Sequence, residues 1–181
     1  ESLVDELPPL SESSRFQELS ADTVELLGNW EYFAILSLLE TKGFRYSPEA
    51  VADRLQLNRA SVVEAMKLLL RVGLLKEHAN GYMPTHKNVT TTHDVPSAAL
   101  RRVHRQTIEK ALGAIEGQTV EERDFSGMTM AIARKKLPQA KQLIRKFRRE
   151  MSALLEDGDR TDVYRLNIQL FSLESKKKER S

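Results

Sequence analysis

The chain has 181 residues, with 28 Lys and Arg against 26 Asp and Glu, so its formal net charge is only +2. No apolar stretch approaches the roughly 20 residues that cross a bilayer, which excludes a membrane protein built on spanning helices. The absence of cysteine excludes disulfides and thiolate chemistry, fits a reducing compartment, and leads us to expect a cytoplasmic protein.

The charge is unevenly distributed along the chain. Residues 1–60 hold 11 acidic and 5 basic residues, whereas residues 61–181 hold 15 acidic and 23 basic ones. An asymmetry of this kind indicates either an anionic partner or a merely basic surface.

The N-terminal third begins with an irregular stretch and continues with a helix. Residues 1–20 are acidic, rich in Ser and Pro, and predict a linker or a tethered arm. The chain starts at Glu1 without a signal-like region, so we expect a fragment of a longer protein. Residues 21–44 carry closely spaced apolar residues that predict a buried helix ending near Gly43.

The next stretch predicts a helix-turn-helix. Residues 47–57 suit a short helix, since Ser47 is a good N-cap and Pro48 fits the first helical position. After a break at Asn58, the apolar residues keep helical spacing as far as Val72. The second helix of such a pair can enter the major groove of DNA, provided that its first turn is exposed.

A hairpin follows this helix. After Gly73 the runs LLKEH and YMPT read as two short strands, and Asn80-Gly81 between them is a favoured type I′ pair. Helix, glycine and hairpin together predict a winged helix-turn-helix domain over residues 21–88. The step Gly73-Leu74-Leu75 resembles the end of the recognition helix in MarR-like winged helices.

The periodicity of the second helix divides it into a core face and an outward face. Val62, Ala65, Met66 and Leu69 are predicted to be buried. The remaining positions, with the basic residues of the wing, give the candidate DNA-binding residues Arg59, Ser61, Glu64, Lys67, Arg71, Lys76, His78 and Lys87.

Two features of the outward face weigh against a DNA reader. The carboxylate of Glu64 would be repelled by the DNA phosphates unless it accepts a hydrogen bond from a cytosine amine. Val63, Leu68 and Leu70 add apolar surface that favours packing. A protein–protein interaction or dimerisation module without DNA contact therefore stays open as an alternative.

The sequence of the second half predicts a helix–strand–helix–strand unit over residues 97–174, which we interpret as a dimerisation or sensor domain. Together with the winged helix, this unit gives an α+β fold class. An irregular connection leads to it, and a charged tail expected to be disordered follows it. The predicted elements are a connection at 85–97, a helix from Pro96 to Gly117, a strand at 123–133, a helix from Pro138, a strand at 162–173 and a tail at 175–181.

The long helix of this unit is strongly basic. Residues 134–149 contain eight bases and no acid. The run indicates either a solvated face, whose long side chains cover an apolar stripe, or a site for phosphate groups. The candidate anion-binding residues are Lys141, Arg145, Arg148 and Arg149, and a sensor of a small anionic ligand is a further alternative.

The two predicted strands imply a partner. A lone two-stranded sheet is marginally stable and leaves pairing edges open. Pairing with the same element of a second chain would remove both problems, so we expect a homodimer through residues 123–173. Its interface would include the alternating residues Tyr164, Leu166, Ile168 and Leu170, and the dimer would present two reading helices to DNA.

Several blocks of the chain resemble a known family. ERDFSGMTMAI, LPQAKQLIRKFRREM and DVYRLNIQLF, with GNWEYFAILSLL and VTTTHDVPSAALRRVHRQTIEKAL, are similar to a family of uncharacterised bacterial proteins regarded as transcriptional regulators. The resemblance covers roughly residues 25–174 and implies a winged helix followed by an α/β domain. Members of that family usually carry a further N-terminal helix-turn-helix, absent here, which could be the main DNA reader.

Nothing in the sequence indicates an enzyme. The four histidines lack the spacing of metal ligands, and no phosphate-binding, dinucleotide-binding or nucleophile motif occurs. We therefore expect no catalytic residue, metal or cofactor. The favoured interpretation is a DNA-binding transcriptional regulator that acts as a homodimer.

Overall fold

The computed structural model of the protein describes residues 16–19, 23, 27–79, 81–85, 88–91 and 97–174. Within these ranges the chain has five complete α-helices, one 3-10 turn and four short strands. This is a mixed α+β fold, which confirms the predicted class.

The first helix, α1, is shorter than the sequence predicted. It spans Trp30–Leu39, whereas the apolar pattern suggested a helix over most of 21–44. Asn29 is the N-cap and has extended backbone angles (φ −128°, ψ 143°), so it interrupts the helical conformation just before Trp30. Ile35 and Leu38 are completely buried and fix α1 at the centre of the core.

The helix-turn-helix forms as predicted from its capping residues. Helix α2 spans Pro48–Leu55, and the Ser47 hydroxyl accepts a hydrogen bond of 3.0 Å from the Ala50 amide. Gln56 then adopts a left-handed conformation (φ +53°), and the Leu57 amide donates back to the Ala52 carbonyl. Helix α3 spans Arg59–Arg71.

The start of α3 is capped by its own side chain, and its inner face is the one the sequence predicted. The Asn58 side-chain oxygen accepts from the Ala60 amide at 2.8 Å. The buried residues of the helix are those the periodicity assigned to the core: Val62, Ala65, Met66 and Leu69. They pack with residues of α1 and α2 into one hydrophobic cluster.

The wing is an antiparallel hairpin of β2 (Leu75–His78) and β3 (Gly81–Pro84). Gly73 ends α3 with φ +74°, a conformation that a side chain would strain. His78 pairs with Gly81, so the connection consists of residues 79 and 80. The hairpin turn therefore comes one residue earlier than the predicted Asn80-Gly81 turn.

A second pair of strands lies in stretches that looked irregular in the sequence. β1 (Phe16–Leu19), within the predicted arm, runs parallel to β4 (Asn88–Thr91), within the predicted connection. Four-residue strands carry little periodic signal, and a parallel partner this far along the chain leaves no local mark. The rest of the predicted arm and the tail at 175–181 lie outside the described residues.

The second half contains both predicted helices but neither predicted strand. Helix α4 spans Ala98–Gly117, with Ser97 as N-cap, and α5 spans Leu137–Leu155 after a 3-10 turn at Arg134–Lys136. Residues 123–133 and 161–173 form no ladder with any described part of the chain. The prediction of a sheet was wrong for a single chain, because alternation defines the two faces of a strand but does not supply the strand beside it.

The second half holds α1 at both of its ends. At the N-terminal end, the Arg102 guanidinium donates to the Gly28 carbonyl at 2.7 Å, and the Lys110 ammonium lies 3.8 Å from the centre of the Trp30 ring. At the C-terminal end, the Lys42 amide donates to the Arg160 carbonyl at 2.7 Å. We call residues 159–163, which make this second attachment, the strap.

Candidate nucleic-acid interface

The leading turn of α3 lies on the surface of the winged helix. Arg59, Ala60 and Ser61 are all exposed, and the side chain of Arg59 is 65 % accessible. The left-handed Gln56 and the cap at Asn58 set the direction in which this turn leaves α2. The local sequence thus determines that Arg59 and Ser61 lie at the front of the helix-turn-helix.

Arg59 has a partner within the domain. Its guanidinium donates to the carboxylate of Glu49 in the first turn of α2, and both side chains are largely exposed. This hydrogen bond is the main reason that the pKa of Glu49 is lowered below its usual value. The positive charge at the front of α3 is therefore partly neutralised by α2.

Further along the same helix, Glu64 pairs with the base three residues later. The Lys67 ammonium lies 2.8 Å from the Glu64 carboxylate, and both groups are exposed. Arg71 in the last turn is exposed as well. An exposed pair of this type is weak in water, so a phosphate could compete with Glu64 for Lys67.

The wing adds two basic candidates. Lys76 and His78 are both exposed on β2, and Glu77 between them is exposed too. Lys87 lies outside the described residues. The described candidate residues are thus divided between α3 and β2.

The apolar residues that weighed against a DNA reader are partly covered. Val63, Leu68 and Leu70 are half-buried, and Leu68 and Leu70 pack against the hydrophobic core. The outward face of α3 is consequently more polar than the helical pattern alone suggested.

The second half of the chain is attached away from this face. Its side chains reach the two ends of α1, and Arg54 of α2 donates to the Thr161 carbonyl of the strap at 3.0 Å. Among the described residues, none of these attachments involves the leading turn of α3. The leading turn of α3 is therefore exposed in the described part of the single chain.

A family model described as "Domain of unknown function (DUF4423)" matches residues 10–173, which include both halves. The chain belongs to the DUF4423 family. No curated protein and no solved structure matches it. The family description carries no activity, so functional inference for this DUF4423 chain depends on its own residues.

The basic residues of α5 in this DUF4423 chain lie mostly on its surface. Lys141, Arg148 and Arg149 are exposed and Arg145 is half-buried. A shallow depression exists elsewhere, between α4 and Trp30, and Lys110 and Gly113 are among its lining residues.

Two further properties of the described residues bear on function. No helix among them is long and apolar enough to cross a membrane. In the same part of the chain, no group of three or more His, Asp or Glu side chains is arranged to hold a metal ion.

The residues that join the two halves were not among those predicted from the sequence. Arg102, Gln106 and Lys110 recur every four residues on one face of α4, and all three contact residues 28–30. Their spacing was visible in the sequence, but nothing there identified the end of α1 as the partner. The Glu49–Arg59 pair was missed for the same reason.

Proposed function

We propose that this chain is a DNA-binding transcriptional regulator that acts as a homodimer, with α3 as the helix that contacts DNA. The observation that supports this function best is the exposed leading turn of α3, which carries Arg59 and Ser61 clear of every described contact with the second half. In a helix-turn-helix, this turn is the part that meets base edges.

The remaining charges suit the same docking. Lys67 and Arg71 follow Arg59 along α3, and both are exposed on its outward side. Lys76 and His78 on β2 would meet the DNA backbone beside the groove. Contacts to phosphate position the protein, whereas Arg59 and Ser61 would read bases or hold phosphates beside them.

In this account Glu49 competes with DNA. Its carboxylate occupies the guanidinium of Arg59 in the free protein. When a phosphate replaces it, Glu49 returns to water at low cost because it is already exposed. Glu49 therefore weakens DNA binding without preventing it.

The homodimer through residues 123–173 would supply the second reading helix. The expected interface residues Tyr164, Leu166, Ile168 and Leu170 are all exposed in the single chain. Two copies related by a two-fold axis would present two α3 helices to a symmetric site.

The test is a fluorescence-anisotropy titration of the full chain with mixed genomic duplex DNA at about 50 and about 200 mM salt. We expect binding that weakens steeply with salt, and a further loss of about tenfold in Arg59→Ala and in Lys67→Ala. Lys42→Ala is the matched control, since it removes one exposed base at the strap. Unchanged affinity in both α3 variants, with circular dichroism showing a folded protein, would reject this docking.

Glu49→Gln tests the competition directly. The amide keeps the size of the side chain but removes the charge that holds Arg59. We expect this variant to bind DNA several-fold more tightly than the natural chain, because Arg59 is released and one repulsive charge is lost. Weaker binding by Glu49→Gln would show that Arg59 must be held by Glu49 to read DNA.

The alternative of a winged helix used only for protein contacts predicts the opposite result. Its strongest support in the sequence was the apolar outward surface of α3, which is half-buried in the structure. Negligible DNA affinity even at low salt, together with persistent self-association, would favour that alternative. A sensor of small anions, the third candidate, predicts a higher melting temperature when inorganic pyrophosphate is added.

A further inference from the structure

The buried core of the described chain ends within α4. Ala99, Val103 and Thr107 are buried, but no described residue from Ile108 to Glu174 is. All exposed large hydrophobic side chains of the described residues except Met83 fall in this same region. A folded unit of this size normally buries a core of its own, so residues 108–174 lack a partner surface.

Helix α5 shows the lack of buried apolar side chains most clearly. Leu143, Phe147 and Leu154 recur on one face at helical spacing, and the opposite side carries the run of bases. Leu143 is nevertheless 68 % accessible, Leu154 is 70 % accessible, and no residue of α5 is buried. An amphipathic helix forms a stable structure in water only when its apolar stripe is covered.

The two segments that the sequence predicts as strands, residues 123–133 and 162–173, have the same need in their backbone, and we call them the extended segments. Residues 123–133 and 162–173 alternate apolar and polar side chains, with Leu166, Ile168 and Leu170 on one face of the second segment. Neither forms a ladder with described residues, so their amide and carbonyl groups lack strand partners. Extended segments with open edges pair readily with another strand.

These surfaces are continuous with a region that is already fixed. The Asn167 side-chain amide donates to the Thr107 carbonyl at 3.2 Å, and Val163 packs against the winged-helix core. The second extended segment is therefore held beside the point of α4 where burial stops. The apolar residues of this segment, such as Leu166 and Ile168, and Ile108 of α4 are all exposed.

We propose that a second copy of this chain covers the apolar faces of residues 108–117, α5 and the two extended segments, and that this region completes its core only in the dimer. The same faces of both copies meet across a two-fold axis, and the extended segments of one copy pair with those of the other. The inference rests on the homodimer of the proposed function and deepens it, because it makes folding of residues 108–174 depend on assembly.

The area involved fits an obligate dimer. The exposed large side chains between Ile108 and Leu173 leave on the order of 100 Å² each, since fully buried aromatic side chains remove about 150–250 Å². Summed over two copies this amounts to roughly 3,600 Å², within the range of about 2,000–5,000 Å² that obligate homodimers bury.

A membrane surface is a poorer occupant. The basic and apolar faces of α5 resemble those of helices that lie on anionic lipid. The extended segments, however, expose backbone groups that lipid cannot satisfy and another strand can. A second copy can cover the apolar stripe of α5 and also provide backbone hydrogen-bond partners for both extended segments.

The test uses the full chain without DNA, by light scattering and by hydrogen exchange at about 1 and about 100 µM protein. We expect a dimer in which the amides of residues 108–174 are protected, with opening of this region suppressed as concentration rises. A hundredfold increase stabilises a coupled dimer by about 2.7 kcal/mol. A monomer at the higher concentration would overturn the proposal, and so would protection that appears only with phosphatidylglycerol vesicles.

Two variants with one control locate the interface. Ile168→Asp and Phe147→Asp place a charge in the proposed interface, whereas Gln169→Asp places it on the opposite face of the extended segment. We expect the first two to be monomers that lose protection in residues 108–174 but keep it in α1, α2 and α3. Gln169→Asp should remain a dimer.

A protected dimer in both interface variants would contradict the proposal. Arg59→Ala should stay dimeric, so loss of DNA binding and loss of assembly can be told apart.

Discussion

Residues 27–107 and residues 108–174 differ in where their large apolar side chains lie. In the first region Leu27, Ile35 and Leu69 are almost completely buried within one chain. In the second region side chains of the same kind, such as Leu143 and Leu154, remain exposed. Both regions have well-formed helices, so secondary structure by itself does not show whether a region is complete.

The difference in burial follows from how far the elements of each region cover one another's apolar faces. The winged helix places α2, α3 and a hairpin around α1, and each covers part of the apolar face of another. The second region has the C-terminal half of α4, helix α5 and two extended segments, but none of them covers another fully. Its large apolar side chains are therefore left exposed by the described residues.

The largest effect is expected from Leu69→Ala in the first region. Leu69 is fully buried between α3 and the rest of the core, so the substitution leaves a cavity and should lower the free energy of unfolding by about 3 kcal/mol. Urea unfolding followed by circular dichroism measures the loss.

Leu69→Met is the matched control for size and should cost less than about 1.5 kcal/mol. Leu143→Ala is the corresponding substitution in the second region. It should weaken self-association and leave the hydrogen-exchange protection of the winged helix unchanged. Equal losses of winged-helix stability in Leu69→Ala and Leu143→Ala would contradict the difference in burial between the two regions.

A smaller effect is expected where the strap joins the two regions. Arg160 pairs with Glu40 at the end of α1, and both side chains are more covered than those of the nearby Lys42–Asp159 pair. Arg160→Ala should therefore cost about 1–2 kcal/mol of winged-helix stability, whereas Lys42→Ala should cost no more than about 0.5 kcal/mol. Thermal unfolding of both variants provides the measurement, and a Lys42→Ala loss as large as that of Arg160→Ala would contradict the difference in burial.

The smallest effect concerns the contact of α4 with Gly28. A Cβ atom at this position would lie 2.0 Å from the end of the Arg102 side chain, so Gly28→Ala must displace the guanidinium from the Gly28 carbonyl. Because Arg102 is flexible, we expect a cost of only about 1 kcal/mol.

A double-mutant cycle checks the cause of this cost. In an Arg102→Ala background there is no guanidinium to displace, so the Gly28→Ala cost should nearly vanish. A cost that persists unchanged would show that something other than Arg102 constrains Gly28.

Much of the first region could be predicted because its signals are local. Ser47 and Asn58 are N-caps, and helical spacing placed Val62, Ala65 and Met66 in the core, as the structure confirms. The exposed positions of Arg59 and Ser61 followed from the same periodicity. Capping and periodicity involve neighbours within a few residues, so the sequence displays them directly.

Contacts between residues far apart in the chain were decided by tertiary structure. The parallel pairing of β1 with β4, the attachment of Arg102 to Gly28, and the strap at the end of α1 have no local signature. Pairing of Glu49 with Arg59 likewise depends on how α2 packs against α3.

The sequence by itself determined the faces of residues 123–133 and 162–173, because alternation follows from the two-residue repeat of an extended chain. Only the tertiary structure revealed that those faces are left uncovered, since burial depends on which surfaces the whole chain can bring together.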